Sequence, residues 1–364
     1  MDEVTFSPPL YKQRHQFIKD LVWEHKPKKV ADLGCADCSL LWKLKFFRCI
    51  ELLVGLDIDA NVMQEKMYRL SPLPGDYVQP RERPLKVALY QGSVTEKDPC
   101  LLGFDLVTCI EIIEHLEETQ VATFTDVVFG YMSPAMVVIS TPNAEFNPLL
   151  PGLTGFRHKD HKFEWTKAQF QKWALDAAYQ HGYTVKFSGV GVGPPGTEEK
   201  GFCTQIGLFT KKVLNTDDRQ ISDKKQLGHL YKPVFEVSYP SLQDMKYLRH
   251  AVILEVTNIS DNIKRSLMNS CYKKKKNSCD SVHISCLETG SQTSDAILEP
   301  YISDRVLYIP LARLLTFPKL HRLCDNIDKL KEVLADRAVL SKDGSCLIVV
   351  IEIDEDWDCY TLDE

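Results

Sequence analysis

The sequence predicts an α/β fold built on a mostly parallel sheet. Short apolar runs alternate with helix-like segments over about 200 residues, the pattern of such a sheet. The first run ends in a glycine turn, and residues able to do chemistry follow the ends of later runs. Ligands of such sheets sit at those carboxyl ends.

Along the chain, "LYKQRHQFIKDLVWEH" (10–25) spaces Leu10, Phe17, Leu21 and Val22 at helical intervals. "KKVADLGCAD" is a strand closed by a glycine turn, and "SLLWKLKFF" is the helix after it. "IELLVGLDID" is a second strand, followed by the helical "ANVMQEKMYRL". "LKVALYQGSV", "FDLVTCIE" and "MVVISTPN" are the third, fourth and fifth strands. "WTKAQFQKWALDAAYQHG" is a helix stopped by Gly182, and "YTVKFSGVGV" with "CTQIGLFTK" forms a closing antiparallel pair. These segments define a domain over 6–215.

Residues 216–295 are expected to be a linker and a mostly disordered stretch. It contains two short strand candidates, "KPVFEVSYPS" and "RHAVILEVTNI", and a Lys273–Lys276 run. Pattern returns over 296–364, a small α/β segment with "LYIPLARLLTF", the helical "KLHRLCDNIDKLKEVLAD" and the strand "SCLIVVIEI".

The chain of 364 residues is 44% hydrophobic and 26% charged, ordinary for a globular protein, and carries a net charge of −6. A global field attracting nucleic acid is thereby excluded, and any polyanion site must be local. No apolar run approaches the roughly 20 residues of a membrane span. "MDEVTFSPPL" lacks the basic and apolar regions of a secretory signal, so a cytoplasmic protein with no membrane partner is expected. The 12 cysteines follow no repeated spacing, and "CADC" is the sole C-x-x-C, so neither a disulfide scaffold nor a thiolate zinc site is read.

One half of a site follows the first three strands. Asp32 and Gly34 end the first, where glycine allows a tight turn and close approach of a ligand. Asp57 ends the second, placed to accept hydrogen bonds from ribose hydroxyls. A dinucleotide cradle would need glycines where Ala36 and Ser39 stand. The D-x-G order instead resembles the first motif of class I S-adenosylmethionine methyltransferases, with Ala36 where glycine is usual. Ser93, after the third strand, stands where that fold presents an adenine contact.

The other half lies in "CIEIIEHLEE" (109–118), four acidic residues and a histidine within ten positions directly after a buried strand. On a helix, Glu111, Glu114 and His115 at i, i+3 and i+4 would share one face. A further ligand is sought in "FRHKDHKFEWT", which offers His158 and His161. Two carboxylates and two neutral imidazoles balance one divalent ion, and such mixed ligands suit Mn²⁺, Co²⁺ or Mg²⁺. Glu117 and Glu118 read as helix-start acids. The pattern E-x-x-E-H is one residue away from an inverted zinc-protease motif, but its place in a cofactor-binding sheet argues against a protease.

Taken together, "FSPPLYKQR" (6–14), "VADLGCADCSLL" (30–41), "ELLVGLDID" (51–59), "CIEIIEHL" (109–116), "ISTPNAEFN" (139–147) and "DHKFEWT" (160–166) resemble one family. It is the Hen-type small-RNA 3′-terminal 2′-O-methyltransferases, in the animal form that acts on piwi-interacting RNAs. The resemblance covers roughly 6–213. It implies a class I methyltransferase domain, Rossmann-like with a mostly parallel seven-stranded sheet, and a partly disordered C-terminal extension. It places metal ligands, and with them catalysis, on Glu111, Glu114, His115 and His161. It places S-adenosylmethionine contacts on Asp32, Gly34, Asp57 and Ser93.

The same resemblance implies a divalent ion, Mg²⁺ or Mn²⁺ with Co²⁺ as a further option, binding both hydroxyls of a terminal ribose and lowering the pKa of the 2′-hydroxyl. His115 or His161, where not fully committed to the metal, would accept the proton. An enzyme that recognises an end needs few phosphate contacts, for which Lys12, Arg14, Arg157 and Lys159 are candidates. The expected partners are the 3′ end of a single-stranded small RNA and a Piwi-type Argonaute protein. A monomer, with possible residence in RNA granules, completes the expectation. Two rivals stand beside it. A class I enzyme acting on a small molecule or protein leaves the four ligands without a task, and a non-catalytic scaffold has Ala36 as its sole support.

Overall fold

The structure, a computed structural model, describes residues 5–212, 228–277 and 299–351. The chain divides into two compact units, Met1–Leu73 with Arg83–Tyr239 and Pro74–Glu82 with Pro240–Glu364.

In the first unit one sheet contains β1 (Lys29–Leu33), β2 (Leu52–Asp57), β3 (Lys86–Gln91), β4 (Leu106–Ile110), β5 (Met136–Pro142), β6 (Tyr183–Val192), β7 (Phe202–Lys211) and β8 (Lys232–Ser238). Their order is β6-β7-β5-β4-β1-β2-β3-β8. Strands β1 to β5 pair in parallel, while β6, β7 and β8 join antiparallel. The order reverses between β1 and β4, which opens a crevice at the carboxyl ends on either side of that point.

The helices of this unit are α1 (Leu10–His25), α2 (Ser39–Leu44), α3 (Ala60–Lys66), α5 (Glu118–Thr125) and α6 (Lys167–His181); the intervening α4 (Pro74–Val78) belongs to the second unit. Both sheet faces are covered, which explains why the central strands read as unbroken apolar runs. Val30, Leu53, Val87 and Leu106 pack with α1 and α2 through Ile18, Val22, Leu41 and Leu44. Their neighbours Ala31, Val54, Ala88 and Val107 face the other layer, with Phe124 of α5 and Phe170 and Ala174 of α6. Helix α6 starts at a capping box between Thr166 and Gln169 and stops at Gly182, whose φ of 75° is the left-handed cap.

The sheet has one strand more than expected. "KPVFEVSYPS" forms β8, which pairs antiparallel with β3 and carries the sheet past residue 215. Asp98 fastens its approach: its carboxylate accepts from the backbone N–H of Leu230 at 2.6 Å and of Tyr231 at 2.9 Å.

The second unit holds α7 (Met245–Asn277), the antiparallel sheet β11-β10-β9 (Cys346–Val350, Val306–Pro310, Tyr301–Ser303), α8 (Leu311–Leu315), α9 (Pro318–Leu323) and α10 (Ile327–Leu334). Here the expected strand "RHAVILEVTNI" is corrected: it lies inside α7. Leu248, Val252, Val256 and Ile259 are buried at helical spacing against Leu307, Ile309, Leu330 and Val333. The disorder expected up to 295 is likewise replaced by helix as far as Asn277, which includes the backbone of Lys273–Lys276. Residues 278–298 and the acidic 352–364 lie outside the described residues. The single helix expected over 319–336 is two, because the side chain of Asn326 caps a new start by accepting from Lys329 N–H at 2.8 Å. No helix among the described residues is long and apolar enough to cross a membrane.

Candidate functional site

None of the three residues expected on one helix face lies on an α-helix. Strand β4 ends at Ile110, Glu111 turns the backbone with φ 56°, and Ile113–His115 forms a single 3₁₀ turn. Strand β5 gathers the carboxylates instead. Its Ser140 stands opposite Ile110, and the Ser140 hydroxyl donates to Glu111 Oε1 at 2.8 Å. The next residue, Thr141, donates its hydroxyl to Glu114 Oε2 at 3.1 Å. The "ST" of the fifth-strand motif is therefore a pair of carboxylate holders.

Glu114 is fully buried, and its Oε1 has no hydrogen-bond partner among the described residues. Burial, followed by the negative charge of Glu111, pushes its carboxyl well above the usual range. Its backbone carbonyl accepts from Lys162 N–H at 2.7 Å, drawing the 158–162 loop to the end of β4. The loop brings three imidazoles together. The rings of His115 and His161 are 4.8 Å apart, those of His115 and His158 5.9 Å, and ligand atoms of all three lie within 4.8 Å of one another. Burial, then the nearby His161 and His158, lowers the pKa of His115, which favours the neutral ring that a metal requires.

A divalent cation fits these donors. A buried carboxylate with an orphaned oxygen, a second carboxylate beside it and neutral imidazoles form the mixed set that oxygen- and nitrogen-binding ions take. The tight group is the imidazole trio, so the structure adds His158 beside His115 and His161, while Glu111 and Glu114 stand outside that trio.

A cavity of about 470 Å³ opens onto Glu111 and His161, with Phe6, Leu10, Tyr11, Arg14, Arg157 and Thr204 among its walls. Arg14 leans on Glu111 Oε2 at 3.4 Å and donates to Thr204 at 3.3 Å. Arg157, expected as a phosphate contact, is spent within the protein: its guanidinium donates to Asn147 Oδ1 at 2.7 Å and to the carbonyls of Cys203 and Asn143. Lys159 is exposed, and Lys12 lies over the Tyr11 ring.

The cofactor candidates end neighbouring strands, as expected, but do different work. Gly34 has φ 76°, and an added Cβ would meet Ile112 Cδ1 at 1.9 Å, so protein rather than ligand occupies that space. Asp32 is buried at 3% exposure, takes a hydrogen bond from Thr108 at 2.7 Å and is pushed by burial to about 7. Asp57 accepts from Ala36 N–H at 2.8 Å and Asp59 N–H at 2.9 Å, which leaves lone pairs on both oxygens for a diol. Ser93 shares its hydroxyl with Thr95 at 2.7 Å. The positive φ of Ala36, 42°, is the conformation that glycine serves more cheaply.

The domain family described as "HENMT1 C-terminal domain" matches residues 246–351. A relative from Gallus gallus named "Small RNA 2'-O-methyltransferase" is 50% identical over 366 residues, covering 97% of this chain and 96% of its own length. One of the same name from Mus musculus is 48% identical, covering 98% and 92%. The chain belongs to the small RNA 2′-O-methyltransferase family. A solved structure, "Crystal structure of small RNA methyltransferase HEN1", matches at TM-score 0.55 and 33% identity, covering 66% of this chain and 28% of that longer one. The larger sheet is thus that of a class I, S-adenosylmethionine-dependent methyltransferase.

Sequence reasoning missed Glu164 and Asn147. Glu164 is buried, with Oε1 2.6 Å from His161 Nδ1 and Oε2 accepting from Asn147 Nδ2 at 2.6 Å. Both residues stand in motifs already singled out, "HKFEW" and "TPNAEFN", so the signal was a glutamate three residues after a candidate ligand.

Proposed function

We propose that this chain transfers the methyl group of S-adenosylmethionine to the 2′-hydroxyl of the 3′-terminal nucleotide of small single-stranded RNAs, and that a divalent ion assists. The names of its relatives support the substrate class. The observation that carries the metal reading is Glu114, a buried carboxyl with an oxygen that no described group satisfies, beside Glu111 and three imidazoles.

Glu111, Glu114, His115 and His161 would hold the ion, and Asp57, Ser93 and the turn at Asp32–Gly34 would hold the cofactor. S-adenosylmethionine supplies an electrophilic methyl, and a divalent cation supplies Lewis acidity that eases deprotonation of a ribose hydroxyl. The protein's own groups do the rest. Ser140 and Thr141 fix the two carboxylates, and burial favours the neutral His115 ring, the form that binds a metal. The cavity beside Glu111 and His161 admits a chain end, with Tyr11 (48% exposed) offering a face for a base. Piwi-interacting RNA as the substrate and a Piwi-type Argonaute protein as the presenting partner complete the proposal, with Mg²⁺ or Mn²⁺ as the ion and the cytoplasm as the compartment.

The test offers labelled S-adenosylmethionine and a single-stranded RNA of piwi-interacting length, with Mn²⁺, Mg²⁺ or a chelator, beside RNAs ending in 2′-deoxy or 3′-phosphate. Incorporation that needs both a metal and an intact terminal diol supports the reading. Incorporation that survives the chelator or the 2′-deoxy end overturns it.

A further inference from the structure

The three clustered imidazoles differ in what stands behind them. His158 is half exposed, and its Nδ1 is 3.5 Å from a carboxylate oxygen of Asp160 that is itself exposed. His161 is backed by Glu164 at 2.6 Å, with 7% of the His161 side chain and 0% of the Glu164 side chain exposed. Glu164 is itself held by further hydrogen bonds. Oε1 also accepts from Arg157 N–H at 2.6 Å, and Oε2 accepts from Asn147 at 2.6 Å. Asn147 is braced in turn by Arg157, whose guanidinium is tied to two backbone carbonyls.

A carboxylate accepts and does not donate, so the hydrogen on the short His161–Glu164 contact belongs to Nδ1. The lone pair of the ring is then on Nε2. A ring flip would set a carbon against the carboxylate and forfeit a buried, charge-assisted bond.

We infer that Glu164 is a positioning residue: through a buried contact it holds His161 as the Nδ1–H tautomer, with Nε2 presented to the divalent ion. The inference rests on the metal reading above and deepens it. Carboxylates behind metal-binding histidines act in this way by fixing the tautomer and raising the basicity of the free nitrogen. The arrangement also says how His161 is used. With its proton bonded to Glu164 and its lone pair on a metal, it has no capacity left to act as the base.

Two measurements on the full chain test this. Nitrogen-15 shifts of histidine side chains, with His161→Gln to assign the resonance, report the tautomer of His161 directly; a proton on Nδ1 is expected, and one on Nε2 overturns the inference. Titration with Mn²⁺, read from the electron paramagnetic resonance of the free ion, reports affinity. Glu164→Gln should bind Mn²⁺ about 10- to 100-fold more weakly, while Asn147→Ala, which spares the contact with His161, should shift it by about threefold or less. Unchanged affinity in Glu164→Gln overturns the inference and leaves the metal reading intact. Failure of the unaltered chain to bind Mn²⁺ overturns both. If Glu164→Gln does not fold, the tautomer of the unaltered chain decides alone.

Discussion

Thr141 and Glu114 share one hydrogen bond of 3.1 Å, and it leaves the other carboxyl oxygen of Glu114 buried with no partner among the described residues. The protein thus carries a buried polar atom that costs stability while it lacks a partner.

Glu114→Gln should therefore stabilise the metal-free protein while destroying its activity. The folded pKa of Glu114 is raised, by burial and then by Glu111. Its favourable contribution is thus complete below the ordinary carboxyl range and is lost as pH rises through the raised value. In thermal or denaturant unfolding with chelator, the variant should gain on the unaltered chain between pH 5 and pH 8. The gain should reach about 1–3 kcal/mol. Methyl transfer should fall by about 100-fold or more. A variant less stable than the parent at pH 8 contradicts this.

Asp32 gives a second pH signature, away from the imidazoles. Burial lifts it to about 7 against the hydrogen bond from Thr108, and Asp57 lifts it further. A raised acid stabilises the fold fully below its unfolded value near 4, and that contribution is lost as pH climbs to about 7. The swing is on the order of 4 kcal/mol at most. Asp32→Asn should flatten the stability profile over that window; a profile with the parent's slope rejects the assignment.

Asp98 works in the opposite direction. Burial alone would raise it, but N–H donors from Tyr231 and Cys100 outweigh burial and hold its carboxyl at about 2. Its stabilisation is present above the unfolded value near 4 and fades as pH falls through about 2. Asp98→Ala leaves the Leu230 and Tyr231 N–H groups without an acceptor and should cost about 2–3 kcal/mol at pH 7. Hydrogen exchange should rise along β8 before it rises in β1, and equal protection in both strands would refute the assigned role.

Gly34 and Ala36 make a paired test of the turn after β1. Gly34→Ala collides with Ile112 at φ 76° and should destabilise by about 2 kcal/mol or more, weakening S-adenosylhomocysteine binding with it. Ala36→Gly relieves a residue held at φ 42° and should stabilise by about 0.5–1 kcal/mol once the freer unfolded chain is counted. A loss of stability in Ala36→Gly would mean that the alanine methyl packs better than the backbone suffers.

The central sheet was legible because its strands are buried on both faces and so are written as continuous apolar runs. The candidate site was legible in composition rather than in geometry. His115 meets His161, and Glu111 lines the same cavity as His161, but a strand end and one 3₁₀ turn bring them there, and the holders Ser140 and Thr141 lie on another strand. Spacing within one segment cannot report such a cross-strand arrangement. The strand expected at 249–259 failed for another reason. Val252, Val256 and Ile259 are β-branched, and the reading gave that preference more weight than their four- and three-residue spacing, which decides for helix once they have a core to face. Glu164 stayed unread because a buried carboxylate behind a histidine looks, in sequence, like any surface acid.

The antiparallel addition of β8 to β3 bears on how this protein can be cut. The motifs that carry the sequence resemblance end near residue 213, which invites a boundary there, yet a piece ending at 213 would lay bare the ladder of β3 from Lys86 to Gln91 along its whole length. Such an open margin recruits strands from other molecules. A piece carried through Tyr239 keeps its own selvedge, including the Tyr239 hydroxyl's bond to the Leu70 carbonyl at 2.6 Å.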